Sequence, residues 1–150
     1  MDILGFITLV ISGFTACAEF TSYALVHPLI RHLPQKHHIS FEQGSLRTYG
    51  VIMPVLMPVC VVLTVSYAIF NQEFGGIELV IRVVSAVMFI LATISTIIFN
   101  VPINKEIKHW KADNPPTDWK DIRNRWMFFQ AIRSWLLLIG FVLLCFSATI

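Results

Sequence analysis

Glu19 is the residue whose type and position point most directly to chemistry. It stands within an apolar stretch, residues 3–26, that is long enough to cross a bilayer. Placing a charged side chain at such depth costs roughly 2.5–3.5 kcal/mol on insertion scales, so these residues usually face a bundle interior and serve a function. A desolvated carboxyl can accept a proton or donate a hydrogen bond. The sequence therefore predicts a functional role for Glu19, with helix packing as the alternative.

Further polar residues of this stretch lie on one helical face with Glu19. The spacing of four, three, four and three residues groups Thr8, Ser12, Thr15, Glu19 and Ser22, and Tyr23 stands beside them. Hydroxyls in this arrangement can hydrogen-bond between membrane helices. The Ser and Thr residues are therefore interpreted as interhelical contacts.

Two later stretches supply amides and a cation. Asn100 and Asn104 share a face if their helix continues through Pro102, whose ring would distort the turn between them. They are either helix caps or a pair of amides lining a cavity. In the last stretch Trp126, Gln130 and Arg133 share a face by their spacing of four and three.

Arg133 needs an acceptor because it lies about 12 Å along the helix from Arg125, too deep to reach the surface easily. Glu19 is the only acid placed inside an apolar stretch. An ion pair between Glu19 and Arg133 is one expectation, and a Glu19 that faces an open cavity is the other.

The elements that position these residues are four apolar stretches. The chain has 150 residues, 56% hydrophobic and 13% charged, whereas typical soluble domains carry about 25% charged residues. Residues 3–26, 49–70, 80–99 and 126–150 each have about the 20 residues that span a bilayer. The prediction is an all-α integral membrane four-helix bundle, with residues 1–150 as a single transmembrane domain. A short interfacial helix beginning near Trp119 precedes the fourth span or runs into it.

Charge predicts the orientation of the bundle. Nine of the eleven Lys and Arg residues lie in the segments 28–48 and 101–125, which are interpreted as loops, while the second loop carries Glu73 and Glu78. The positive-inside rule places both basic loops on the cytoplasmic side and both termini on the opposite side. Trp110 and Trp119 are expected to be exposed in an interfacial aromatic belt.

Neither the cysteines nor the histidines form a recognisable site. Cys17, Cys60 and Cys145 lie in apolar stretches without a C-x-x-C spacing and are interpreted as buried small hydrophobes. The histidines show no metal-binding helix motif and are placed in or beside loops: His27, His32, His37, His38 and His109. No metal is predicted, and a site built from Glu19, His27 and a loop histidine is the alternative.

The motifs together resemble one family. The run Asn100-x-Pro102-x-Asn104 is followed by Trp110, Trp119, the pair Arg125-Trp126 and Arg133. This pattern resembles the anthrone oxygenase-like family of small four-helix membrane proteins, and the His27-Pro28 exit of the first helix resembles that family's opening segment. The resemblance extends over nearly the whole chain. Gln130 departs from the family pattern, in which a histidine often stands between the Trp and the Arg.

The resemblance implies oxidation of an anthrone, a reduced tricyclic phenol, to its anthraquinone by dioxygen without a cofactor. Glu19 or His27 would remove the proton, and Arg133, Asn100 and Asn104 would hold the developing oxyanion. Gln130 would contribute to substrate binding but cannot act as a base. The flat rings would pack against Tyr23, Trp126 and Phe129.

A different class of function fits the same residues. A non-catalytic membrane protein could bind a lipid, a quinone or a partner subunit through this polar cavity. Under the oxygenase hypothesis, the expected partners are a small hydrophobic aromatic substrate and membrane lipid. The sequence leaves open whether the chain forms a homo-oligomer. The net charge of +2 argues against nucleic acid.

Overall fold

The chain forms a bundle of four long helices in a computed structural model that describes residues 3–70 and 76–150. The helices are α1 (Ile3–Ile30), α2 (Gln35–Phe70), α3 (Ile77–Ile107) and α4 (Trp119–Ser147), and each is long and apolar enough to cross a membrane. The described residues contain no β-strand. The predicted all-α membrane bundle is therefore confirmed. Glu73, whose charge contributed to the predicted orientation of the bundle, lies outside the described residues.

The helices extend well beyond the apolar stretches. α2 has 36 residues and begins at Gln35, so most of the segment 28–48 is helical and not a loop. Likewise, α3 continues to Ile107 and α4 starts at Trp119. At 1.5 Å per residue α2 is roughly 54 Å long, against about 30 Å of hydrocarbon. Hydropathy marks only the part inside the hydrocarbon, which is why it misplaced these helix ends.

The helix expected near Trp119 is not a separate element. α4 runs without interruption from Trp119 to Ser147, so the residues assigned to a short interfacial helix are its first turns. The chain reaches α4 from α3 through residues 108–118, where Gln43 Nε2 donates to the carbonyls of Ile107 (3.0 Å) and Trp110 (2.8 Å). The Ile107 carbonyl, one of the last of α3 and without a partner within the helix, thus accepts from Gln43 as well as from the Trp110 N–H at 3.2 Å.

Two π-helical turns interrupt α1 and α3 just before a proline. Ser22–Val26 precedes His27-Pro28, and Thr96–Asn100 precedes Val101-Pro102. Proline cannot donate its backbone nitrogen, and its ring clashes with the carbonyl four residues earlier. A wider turn accommodates both effects, and turns of this kind are frequent at functional sites. Both turns contact α4.

Successive helices run antiparallel and each packs against two neighbours. α1 and α3 both contact α2 and α4. Thr15 Oγ1 of α1 accepts a hydrogen bond from the Cys60 thiol of α2 at 3.3 Å. Ser85 of α3 donates to the Gly140 carbonyl of α4 at 2.7 Å. We call the end formed by the last turns of α1 and α3 and the first turns of α2 and α4 the basic end.

The polar stripe of α1 faces the interior as predicted. Thr8, Ser12, Thr15, Glu19 and Ser22 are all buried. Large apolar side chains such as Phe6, Val62 and Val142 are instead exposed on the outer surface, as expected for helices surrounded by lipid. Cys60 is buried, but Cys17 is exposed on this outer surface, so the prediction that all three cysteines are buried is wrong for Cys17.

Trp110 and Trp119 do not form an exposed belt. Both are buried, in an apolar cluster at the basic end that includes Ile39, Ile107 and Trp126. The prediction of exposure was wrong because it treated residues 101–125 as a loop at the membrane surface. The long helices enclose these indoles between α2, α3 and α4.

Candidate functional site

Glu19 and Arg133 form an ion pair inside the bundle. Arg133 Nη2 lies 2.8 Å from Glu19 Oε2, and both side chains are almost fully buried. Gln130 Nε2 donates to the same carboxylate oxygen at 2.9 Å, while Gln130 Oε1 accepts from Arg133 Nη2. The glutamine therefore bridges the two charged groups, and the three side chains form one hydrogen-bonded unit between α1 and α4.

Neighbouring hydroxyls hold this unit in place. Thr96, in the π-helical turn of α3, accepts from Arg133 Nη1 at 3.4 Å. Ser134 donates to the backbone carbonyl of Glu19 at 3.3 Å. The second carboxylate oxygen, Glu19 Oε1, is buried and has no hydrogen-bond partner among the described residues. A buried acceptor without a partner costs about 1–3 kcal/mol, so this oxygen is positioned for a water molecule or a ligand.

Trp126 is the centre of a second group of contacts nearer the basic end. Its indole Nε1 donates to Asn104 Oδ1 at 2.7 Å, and its backbone carbonyl accepts from Asn100 Nδ2 at 3.3 Å. One face of the indole meets the His27 ring, with 4.9 Å between centroids. The Arg123 guanidinium lies 4.3 Å from the ring centroid. Trp126 is thus held by contacts from α1, α3 and its own helix.

A cavity of about 160 Å³ connects the two groups. This is far more space than one water molecule requires. Its polar wall contains Glu19, Ser22, His27, Thr96, Asn104, Gln130 and Arg133, and its α2 wall contains Tyr49, Gly50, Met53, Pro54 and Met57. Trp126 lies between these walls, and Lys105 and Lys108 lie toward the basic end. The two expectations for Glu19 are both met, because it pairs with Arg133 and also lines a cavity.

Six of the nine residues predicted for the site line this cavity: Glu19, His27, Asn104, Trp126, Gln130 and Arg133. Three do not. Asn100 is fully buried but holds the Trp126 carbonyl instead, and Phe129 stacks on Phe99 with 3.9 Å between ring centroids. Tyr23 packs edge-on against Phe20. The sequence placed these three residues near the site. It could not show whether each side chain would point into the cavity or pack against a neighbouring residue.

Sequence reasoning missed Glu42. This buried acid lies in the cavity wall near the basic end. It pairs with Arg123 Nη2, and its Oε1 lies 3.6 Å from both His27 Nδ1 and His38 Nε2. The segment was interpreted as a loop, so the acid was not weighed as an interior group.

Two signals in the sequence point to this cluster in retrospect. His38 and Glu42 are four residues apart and share a helical face with the buried Leu46, Met53 and Met57. Arg123 is three residues before Trp126 and continues the face of Gln130 and Arg133. Helical periodicity, followed beyond the ends of the apolar stretches, would have placed both Glu42 and Arg123 in the interior.

The described residues show no metal-site geometry around the histidines. His27 and His38 approach Glu42, but Arg123 occupies the same carboxylate. In the described ranges, no group of three or more His, Cys, Asp or Glu side chains could hold a metal ion. The alternative of a metal bound by Glu19, His27 and a loop histidine therefore has no supporting geometry there.

Comparison with known proteins identifies a family. The family model described as anthrone oxygenase matches residues 46–143. This range contains Asn104, Trp126 and Arg133 but not Glu19 or His27, so the resemblance over nearly the whole chain is confirmed for about two thirds of it. Neither a curated protein nor a solved structure matches the chain.

Proposed function

The chain belongs to the anthrone oxygenase family, and we propose that it is a membrane-embedded oxygenase that oxidises an anthrone- or quinol-like aromatic with dioxygen. The observation that carries this proposal is Glu19 Oε1, which has no partner in the described part of the chain and belongs to a cavity lined also by an indole and apolar side chains. Since Glu19 lies outside the matched range, its role rests on this geometry and not on the family.

The cavity offers surfaces of the right kind for a flat, reduced aromatic. Trp126 presents an indole held in place by Asn104, and Met53, Pro54 and Met57 add apolar groups to the lining. Aromatic rings pack favourably against such surfaces. The hydroxyl or carbonyl oxygen of the substrate would face Arg133 and the Asn104 amide. Asn104 can offer its N–H groups because the indole already occupies its Oδ1.

The reaction can be written with these groups. Glu19 Oε1 removes a proton from the CH₂ between the rings, and Arg133 stabilises the enolate oxygen. The enolate transfers one electron to dioxygen, and the two radicals combine to form a carbon–oxygen bond. The resulting peroxide takes up the proton from Glu19. Loss of the second CH₂ proton with cleavage of the O–O bond gives the anthraquinone and one water molecule.

Glu19 serves as acceptor and donor in turn. Its pairing with Arg133 and Gln130 engages Oε2 only, so Oε1 stays available for both proton transfers. His27 lines the same cavity against Trp126 and is the second candidate base. Exclusion of water by the surrounding helices would strengthen these electrostatic contacts.

The proposed setting of the reaction is a single four-helix membrane domain over residues 1–150. Both basic segments would face the cytoplasm under the positive-inside rule, so the side of the cavity near Lys105 and Lys108 would open toward that compartment. The substrate could then enter from the cytoplasmic leaflet.

Isotope labelling tests the proposed activity. The protein, purified in detergent, is supplied with anthrone and ¹⁸O₂, and oxygen uptake and anthraquinone are followed together. The proposal predicts uptake above the spontaneous rate, one O₂ consumed per quinone, and one labelled oxygen atom in the product. Equal rates with and without protein would remove this substrate class. Saturable binding of a quinone without turnover would instead support the non-catalytic alternative.

A further inference from the structure

A second cavity lies at the basic end and shares the lining residue His27 with the first. It has a volume of about 260 Å³ and is lined by Arg31, His38, Lys120, Arg123 and Asn124 together with apolar groups. Among the described residues that line it, none is acidic. The proposed oxygenase chemistry uses none of Arg31, Lys120 or Asn124.

Arg123 is the observation that points to a ligand. Its side chain is 6% exposed, yet its Nε and Nη1 atoms have no hydrogen-bond partner among the described residues. Glu42 engages Nη2 only, and Trp126 meets the flat face of the guanidinium. Guanidinium N–H groups point outward in the plane of the group, so stacking on an indole does not satisfy them. Two buried donors of a cation that lines this cavity are therefore without a partner among the described residues.

The surrounding charges favour an anion. Arg31 is fixed across the cavity because its Nη2 donates to Asn124 Oδ1 at 3.3 Å. Lys120 lies in the first turn of α4, where the helix dipole adds partial positive charge. Glu42, which pairs with Arg123, is not a lining residue, so the charged side chains among the described residues that line this cavity are all basic.

We propose that this cavity binds a phosphate group. The edge of a guanidinium matches two phosphate oxygens, and Arg31 and Lys120 can neutralise the remaining charge. The phosphate could be carried by a membrane phospholipid, because the cavity lies at the end of the apolar spans, or it could be free in solution. The chemistry of recognition is the same for both sources.

Thermal unfolding of the detergent-purified protein tests this proposal. Inorganic phosphate is titrated against chloride at equal ionic strength, and phosphatidic acid is compared in mixed micelles with diacylglycerol, which has the same chains but no phosphate. The proposal predicts that at least one phosphate-bearing probe raises the Tm by a few degrees and that its control does not. A rise with phosphatidic acid alone would identify a lipid headgroup, and a rise with both would show that the site accepts free phosphate.

Matched variants separate the cavity from general surface charge. The double substitution Arg31→Gln with Lys120→Gln removes two cations that line the cavity, whereas Arg47→Gln with Arg125→Gln removes two exposed cations elsewhere. The first pair is expected to lose the Tm rise and the second to keep it. Should the first pair fail to fold, Lys120→Gln alone gives the same comparison, because Lys120 is exposed. No rise in the wild-type protein, or an equal rise in both variants, would overturn the proposal.

Discussion

Arg133 Nη2 lies 2.8 Å from Glu19 Oε2, so the acid of α1 and the cation of α4 meet directly inside the bundle. The contact compensates both charges, while Glu19 Oε1 has no hydrogen-bond partner within residues 3–70 and 76–150. One side chain therefore serves helix packing and also presents a free acceptor. Substitutions at Glu19 will consequently change both stability and any chemistry.

The ion pair should show strong energetic coupling. We expect Glu19→Gln and Arg133→Met each to lower the free energy of unfolding by about 3–5 kcal/mol, because each leaves a buried group without its partner. The double variant should lose less than the sum of the two. Unfolding by SDS in mixed micelles measures all three. Additive losses would show that the pair is not coupled.

Glu42 should be as important to stability as Glu19. Glu42→Gln would leave Arg123 without its anion and is expected to cost about 3–5 kcal/mol. Glu106→Gln provides the matched control, because Glu106 is exposed on α3, and such surface changes usually stay within about 0.5 kcal/mol. The same SDS titration compares the two. An equal, small effect of both substitutions would contradict the interior role of Glu42.

Trp126→Phe should separate the indole hydrogen bond from ring packing. The change removes the donor to Asn104 Oδ1 and keeps an aromatic ring against His27. We expect a loss of about 1 kcal/mol in stability and a several-fold fall in kcat/KM for the oxidation. Trp135→Phe is the control, since Trp135 is 49% exposed on the outer surface. Equal kinetics of both variants would exclude a positioning role for the Trp126 indole.

Replacement by alanine should have opposite effects on stability at two glycine positions. A Cβ at Gly13 would lie 2.8 Å from ring carbons of Phe141, whereas at Gly44 nothing lies within 4 Å. Gly13→Ala should therefore destabilise the α1–α4 contact by about 1–3 kcal/mol. Gly44→Ala should stabilise α2 by about 0.5–1 kcal/mol. Thermal unfolding of both variants checks this, and a stabilised Gly13→Ala would contradict the close packing of α1 on α4.

The sequence predicts the fold and the centre of the site better than its edges. Hydropathy locates four spans, and helical spacing brings Glu19, Gln130 and Arg133 to the interior. Neither signal shows that α2 begins at Gln35, because a helix outside the hydrocarbon need not be apolar. The cluster of Glu42, His38 and Arg123 was missed for that reason. The contacts of Tyr23 with Phe20 and of Phe129 with Phe99 depend on ring packing, which helical spacing does not encode.

Under the proposed mechanism, Glu19 Oε1 accepts the substrate proton in the cavity. The rate of anthraquinone formation by wild-type protein, Glu19→Gln and Gly13→Ala, each confirmed as folded in detergent, tests this role. Gly13→Ala controls for destabilisation of the same α1–α4 interface without removing a cavity group. We expect Glu19→Gln to fall to the spontaneous rate and Gly13→Ala to retain turnover. Wild-type turnover in Glu19→Gln would show that Glu19 is not the base.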